Sequence, residues 1–243
     1  MKKFMYLALG LTMAAAAAWG AFGTIISSFA APGGPNPDAL AYGGGYLYCM
    51  RDVGGGDVVY RLNPANGSIY SSFVSPAGNN GCGLAYYGGD IFNGDSNANR
   101  VFRTTTAGSV VSSFNVASVT GGLTEEGSYL WATGGNTFRR MTTAGSVVSS
   151  FTTSFTPLDP GFGGSVLFVG SGNPVHMIYK LSTNGSVLES VAPPANWPRG
   201  CAFDGTYLWI STTGNHTIYK MDAGNINTAV VPASFGSVKA LYR

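Results

Sequence analysis

Beyond residue 22 the chain is written in short runs where apolar and polar side chains alternate, broken by Gly, Asn and Asp. Alternation with a period of two, rich in Val, Ile, Tyr, Phe and Thr, predicts half-buried strands joined by tight turns. No stretch there has the 3.6-residue apolar spacing of a helix. The unit near the end shows the plan. Residues 200–203 are a first strand, Asp204-Gly205 a turn, 207–211 a second strand and 217–221 a third. Earlier first strands fall at 38–42, 82–86 and 121–124. The fourth candidate, 158–162, fits poorly, with Pro157 before it and Pro160 inside it. Second strands fall at 46–49, 90–93, 129–132 and 165–169, and third strands at 58–62, 100–104, 138–142 and 177–181.

The fourth strand of each unit is a repeated heptapeptide. GSVVSSF stands intact at 108–114 and 145–151, with variants at 23–29 (GTIISSF), 67–73 (GSIYSSF) and 185–191 (GSVLESV), and a weaker copy at 236–242 (GSVKALY). The first five copies start 44, 41, 37 and 40 residues apart. A period near forty marks a repeat architecture. Four short antiparallel strands per period describe the blades of a β-propeller. The expected fold is therefore all-β, with five four-stranded blades and the terminal copies meeting in the last blade. The alternative is six blades with an incomplete sixth.

Blade position accounts for residue type. Innermost strands crowd the axis and carry Gly and Ala. Second strands carry a large aromatic at one matched position: Tyr48, Phe92, Trp131, Phe168 and Trp209. These five are expected in the core. Third strands repeat a basic residue, Arg61, Arg103, Arg140, Lys180 and Lys220. They could form a ring for anions, but a solvated strand face explains them more simply.

The stretch Asn93-Gly-Asp-Ser-Asn-Ala-Asn-Arg-Val101 and the stretch Gly214-Asn-His-Thr-Ile218 resemble the NHL repeat and related YVTN-type propeller repeats. In those families an Asp/Asn-rich turn leads into a strand that starts with a basic and a β-branched residue. The resemblance implies fold and leaves function open, because such propellers serve as enzymes, binding modules and scaffolds. Gly121-Gly-Leu-Thr, with Tyr129-Leu-Trp and Gly135, is loosely similar to the plant-type glutaminyl cyclases, which are secreted five-bladed propellers. The acidic residue those enzymes place before the Gly-Leu strand is replaced here by Thr120 and Gly121.

The N-terminus changes the setting. Lys2-Lys3, an apolar run from Phe4 to Trp19 and small residues at Ala18, Gly20 and Ala21 read as a secretory leader. The run is too short for a spanning helix. Residues 1–22 are thus expected as leader and 23–243 as a single propeller domain, secreted or extracytoplasmic, with no membrane span after cleavage. The sequence holds 13 Lys+Arg and 11 Asp+Glu, and without Lys2 and Lys3 the signs balance at 11 each. That neutrality argues against a nucleic-acid partner and permits self-association. Cys49, Cys82 and Cys201 fit no metal pattern. Buried small side chains are expected, with a Cys49–Cys82 bridge as the alternative.

Candidate chemistry belongs on the face that carries the long loops. Arg51, Asp52, Asp57, Asp95, Trp197 and Arg199 fall there. Trp197 and Arg199 precede an innermost strand, and Asp38 holds the place of Arg199 in the adjacent blade. Ligand contacts are expected at Asp38, Arg51, Asp52, Trp197 and Arg199, with a plain Asp38–Arg199 ion pair that tightens the closure between first and last blades as the alternative for those two. Asp95-Ser-Asn97-Ala-Asn99 has the alternating oxygens of a calcium loop but lacks its distal Glu, so an Asx turn is expected. His176 and His216 lie in different blades, too far apart to share a zinc ion. Glu125 and Glu126 adjoin on one strand and point to opposite faces. No catalytic residue, metal site or cofactor is expected. The resulting reading is a non-enzymatic binding or surface-structural module, with a small polar ligand, a glycan or other chains including itself as partner. The alternatives are a glutaminyl-cyclase-like enzyme and a self-assembling filament or matrix subunit.

Overall fold

A computed structural model of the chain describes residues 20–52, 55–172 and 174–226, and all the regular secondary structure there is β-strand. No helix among the described residues is long and apolar enough to cross a membrane. The first strand, β1 (Ile25–Ala30), stands apart in sequence from the blade it joins. Blade one is β2 (Pro37–Gly43), β3 (Tyr46–Arg51), β4 (Val58–Leu62) and β5 (Ile69–Val74). Blade two is β6 (Gly81–Tyr87), β7 (Asp90–Asp95), β8 (Arg100–Thr105) and β9 (Val110–Asn115). Blade three is β10 (Gly122–Glu126), β11 (Tyr129–Gly134), β12 (Thr137–Thr142) and β13 (Val147–Thr152). Blade four is β14 (Pro157–Gly163), β15 (Val166–Ser171), β16 (Ile178–Ser182) and β17 (Val187–Val191). Blade five is β18 (Pro198–Phe203), β19 (Tyr207–Thr212) and β20 (Thr217–Asp222), completed on its outer side by β1.

The ring therefore has five complete four-stranded antiparallel blades. β1 runs antiparallel to β20, with Ser27 opposite Lys220 and Phe29 opposite Ile218. Gly23 N–H donates to the Asp222 carbonyl at 3.0 Å, and Asp222 N–H donates to the Thr24 carbonyl at 2.8 Å. The heptapeptide copy at 236–242 lies outside the described residues, as does most of the leader.

The heptapeptide's two end residues have a joint reason. Its Gly takes a positive φ in the turn before the outer strand, as at Gly108 (89°) and Gly145 (91°). A Cβ on Gly67, Gly108, Gly145 or Gly185 would also strike the ring of Phe29, Phe73, Phe114 or Phe151, the last residue of the previous blade's copy. Gly and Phe thus interlock from blade to blade. Further in, Tyr48, Phe92, Trp131, Phe168 and Trp209 are all fully buried between blades. The two indoles keep a polar partner, Trp131 Nε1 donating to Glu126 at 2.8 Å and Trp209 Nε1 to Asp204 at 2.9 Å.

The recurrent basic side chains work within their own blades. Arg103 pairs with Asp90 at 2.6 Å, Arg140 with Glu126 at 2.5 Å, Lys180 with Glu189 at 2.5 Å and Lys220 with Asp204 at 3.9 Å. Arg61 lies 3.5 Å from the centre of the Tyr46 ring. Neither an anion ring nor a plain solvated face describes them: Lys180 is fully buried and also donates to the Asn225 carbonyl at 2.9 Å. All three cysteines are free, Cys49 and Cys201 buried and Cys82 half-buried.

At the axis the five innermost strands turn unpaired edge N–H groups toward one another. Asp159, fully buried on β14, fills the space between them. Its carboxyl accepts Leu40 N–H at 2.9 Å and Leu123 N–H at 3.0 Å, and hydrogen bonds from Leu84 and Cys201 N–H complete the set. These donors occupy one register, one in each of the other four blades. The equivalent residue on the strand of Asp159 is Pro160, which has no N–H to satisfy. Pro160, inside a strand it would ordinarily disrupt, thus sits where the axis tolerates it, and Pro157 stands at the register slip where β14 begins. Around Asp159 the same level holds Ala39, Gly83, Gly122 and Gly200, and a Cβ on Gly122 would stand 2.3 Å from Asp159 Oδ1.

Closure by the N-terminal strand is testable. Removing residues 20–30 bares the edge of β20 and the buried face under Phe29, so the melting temperature should fall and aggregation on heating should rise. A truncated chain that melts like the full one, followed by circular dichroism, would show that β1 does not close the ring.

Candidate functional site

Each inner strand enters the ring through an irregularity. The register slips between Pro37 and Ala39, Gly81 and Gly83, Pro157 and Pro160, and Pro198 and Cys201. In blade three, Thr120 and Gly121 N–H both donate to the Thr133 carbonyl. A β-bulge re-aims the side chain it carries. The matched residues at these points, Asp38, Cys82, Gly121, Leu158 and Arg199, all line one cavity of about 140 Å³ at the mouth of the axis. Gly81, Ser96 and Thr120 complete its wall. Buried hydroxyls hold the entrances in place: Ser211 Oγ donates to the Pro37 carbonyl at 2.8 Å and accepts Gly200 N–H at 2.9 Å, and Thr133 Oγ1 donates to the Leu158 carbonyl at 2.8 Å. The opposite end of the axis is narrower, about 20 Å³, and is lined by Tyr42, Tyr86, Glu125, Phe162 and Phe203.

Within the mouth, Arg199 Nε lies 3.0 Å from Asp38 Oδ1. The contact joins blade five to blade one. It is an ion pair without hydrogen-bond alignment: both atoms are buried, and neither has a hydrogen-bond partner among the described residues. Burial pushes the Asp38 carboxyl up against the pull of Arg199, and Asp52 adds to the rise. Cys82 Sγ donates to the Val119 carbonyl at 3.1 Å, and burial pushes its thiol well up, so it is a poor nucleophile.

The other residues expected at the site flank this cavity. Arg51 Nε donates to the Pro35 carbonyl at 2.9 Å, and Asp52 N–H donates to the Asn36 carbonyl at 3.2 Å, so the end of β3 braces the loop that leads into β2. Trp197 sits at φ 62°, 41% exposed, with its ring centre 4.3 Å from that of His176. A Trp held in the left-handed region is strained. Asp95 Oδ1 accepts N–H from Asn97 and Ala98 at 3.0 and 2.9 Å, which makes it the turn former expected. His216 caps the entry of the first blade, its carbonyl accepting Ala31 N–H at 2.8 Å. Cys82, Gly121 and Leu158 were not expected at the mouth from the sequence, although they share the register of Asp38 and Arg199.

Asp57 lies behind the mouth wall. It is buried, and its Oδ2 accepts Gly81 N–H at 2.6 Å. Its Oδ1 has no hydrogen-bond partner among the described residues. Burial pushes the carboxyl up to about 6 against the pull of Gly81, with Asp52 and Asp38 adding to the rise. In the next blade Asn99 holds the same place and accepts Val119 N–H at 3.4 Å.

No model of a known protein family matches the chain, and no curated protein does. Solved structures do. Myxococcus xanthus glutaminyl cyclase is 11% identical, with a TM-score of 0.67, over 82% of this chain and 95% of that one. Virginiamycin B lyase from Staphylococcus aureus, in a catalytically inactive form with quinupristin, is 20% identical, with a TM-score of 0.50, over 76% of this chain and 66% of that one. At these identities the likeness establishes the propeller fold and nothing about chemistry.

Asp57 gives a pH-dependent prediction. Its ordinary value is 3.8, and the folded state holds its proton up to about 6. The destabilisation it causes therefore grows as pH rises through that window and is level above it. Asp57→Asn should keep the bond to Gly81 and raise stability at neutral pH by on the order of 2 kcal/mol. The gain should vanish below about pH 4, where Asp57 is protonated in both states. Urea unfolding at several pH values reads this directly, and a pH-independent difference would refute it.

Proposed function

We propose that this protein is a secreted, non-enzymatic binding module that takes a small polar ligand at the mouth of the ring. The observation that supports this is the juxtaposed Asp38 and Arg199. An acid and a base from neighbouring blades share one wall of the cavity, in contact through buried atoms but without hydrogen-bond alignment between them. A neutral ligand with adjacent donors and acceptors, such as a sugar, would bridge the two side chains. Trp197, exposed and strained at the rim, offers a stacking face beside them. The leader and the balanced charge of the remainder fit a protein that works outside the cytoplasm.

A second reading keeps the fold neighbour's chemistry in view. Glutaminyl cyclases carry an acidic residue before a Gly-Leu strand. In blade three that place is Gly121, but in blade one the same register holds Asp38, before Ala39-Leu40. An acid thus does line the mouth, and its raised affinity for a proton would suit proton transfer.

One set of variants separates these readings. On a glycan array the wild-type protein should bind, and Asp38→Ala or Arg199→Ala should abolish binding. Arg199 is partly solvated, so the two substitutions should couple by less than about 1 kcal/mol in stability. Release of ammonia from a peptide with N-terminal glutamine, lost in Asp38→Ala, would replace the binding module with the enzyme. Strong coupling in stability with neither binding nor turnover would reduce the pair to a clasp between blades.

A further inference from the structure

The most regular part of the sequence is the part least buried in the ring. Each outermost strand opens on two apolar residues: Ile25-Ile26, Ile69-Tyr70, Val110-Val111, Val147-Val148 and Val187-Leu188. All ten are between 43% and 58% exposed. The interlocking of the heptapeptide's Gly and Phe explains those two residues and leaves this pair unexplained. In all five blades the register slips at the same point, so Ile26, Tyr70, Val111, Val148 and Leu188 have no opposite residue on the neighbouring strand. A bulge on an edge strand interrupts the backbone ladder and discourages addition of another strand. What remains is a side-chain patch, repeated once per blade, at the rim where the third-to-fourth strand turns lie.

Charge narrows the occupant. The five outer strands carry one side chain charged at neutral pH, Glu189, and Lys180 neutralises it. On the adjacent strands Arg103, Arg140, Lys180 and Lys220 are held by carboxylates of their own blades and Arg61 lies over the Tyr46 ring. Arg100 stands at the far end of β8 from the patch, opposite Asn115, and Arg139 stands opposite Ser150, so among the described residues no cluster of free cations surrounds the apolar pairs. An anionic bilayer needs free Lys or Arg around an apolar patch, and an acidic protein needs the same. A second copy of this chain needs neither. Its patch is apolar and identical, and the charges of the two signs balance once Lys2 and Lys3 are set aside. We propose that the outer-strand apolar pairs form a self-association surface on which a second copy of the protein docks. This is independent of the mouth and of any ligand there.

Sedimentation velocity over a concentration series tests it, using the full secreted chain. The wild-type protein should associate reversibly. Val111→Lys with Val148→Lys, changes in two adjacent blades at exposed positions, should raise the dissociation constant roughly tenfold or more, with an unchanged melting temperature. If the lysine variant fails to fold, Val111→Ser with Val148→Ser should still weaken association without loss of stability. A wild-type protein that stays monomeric at every concentration overturns the proposal, as does a folded variant that associates like wild type. Flotation of monomeric wild-type protein with neutral or anionic vesicles would also overturn it, because the patch would then serve a membrane.

Discussion

The structure turns on one carboxyl group surrounded by backbone. A propeller brings the bare edges of its innermost strands together at the axis, where N–H groups point inward with no strand to receive them. Left without partners in a dry channel, such groups are costly. Here Asp159 receives four of them, one from every blade but its own. Pro160 removes the fifth. A side chain on one strand thereby measures the position of the other four. Burial pushes its proton affinity up while the four donors pull it down, and the small residues at its level leave room for nothing larger.

The mouth follows from the same arrangement. Because the axis is plugged one residue deeper, the bulged residue of each inner strand becomes the floor and wall of a shallow cavity. Asp38 and Arg199 meet because they share a register in neighbouring blades, and Ser211 and Thr133 fix the entrances on either side. The chemistry of the cavity is set by five positions, while the rest of each inner strand serves the axis. That division lets residues at the mouth differ from blade to blade while the small ones beneath them do not.

Much of this was legible in the sequence. The heptapeptide period gave the blades, and the copy at 23–29 gave the closure, because outer strands repeat most visibly when little else constrains them. The five aromatics were legible because inter-blade packing demands a large ring at one matched place. Asp38 and Arg199 were found together by register alone. The plug was not legible. Residues 158–162 read as a damaged strand because two prolines break the local pattern, and the meaning of Asp159 depends on donors as far away in sequence as Leu40. The partners of the basic residues were hidden for a similar reason. Their carboxylates flank the turn between first and second strands, as at Asp90, Glu126 and Asp204, or lie on the outer strand, as Glu189 does for Lys180, and only cross-strand registration brings them together.

The most direct test of the central claim is the stability of Asp159→Asn. The side chain keeps its size, but one carboxylate oxygen becomes an amide that donates, so N–H groups on that side face a donor. Leaving buried donors unsatisfied costs on the order of 1–3 kcal/mol each. Urea unfolding of the variant should therefore show a loss of at least about 2 kcal/mol with an unchanged dependence on denaturant. A variant as stable as the wild-type protein would mean that the ring does not depend on Asp159, and that the inner strands are held by the packing between blades alone.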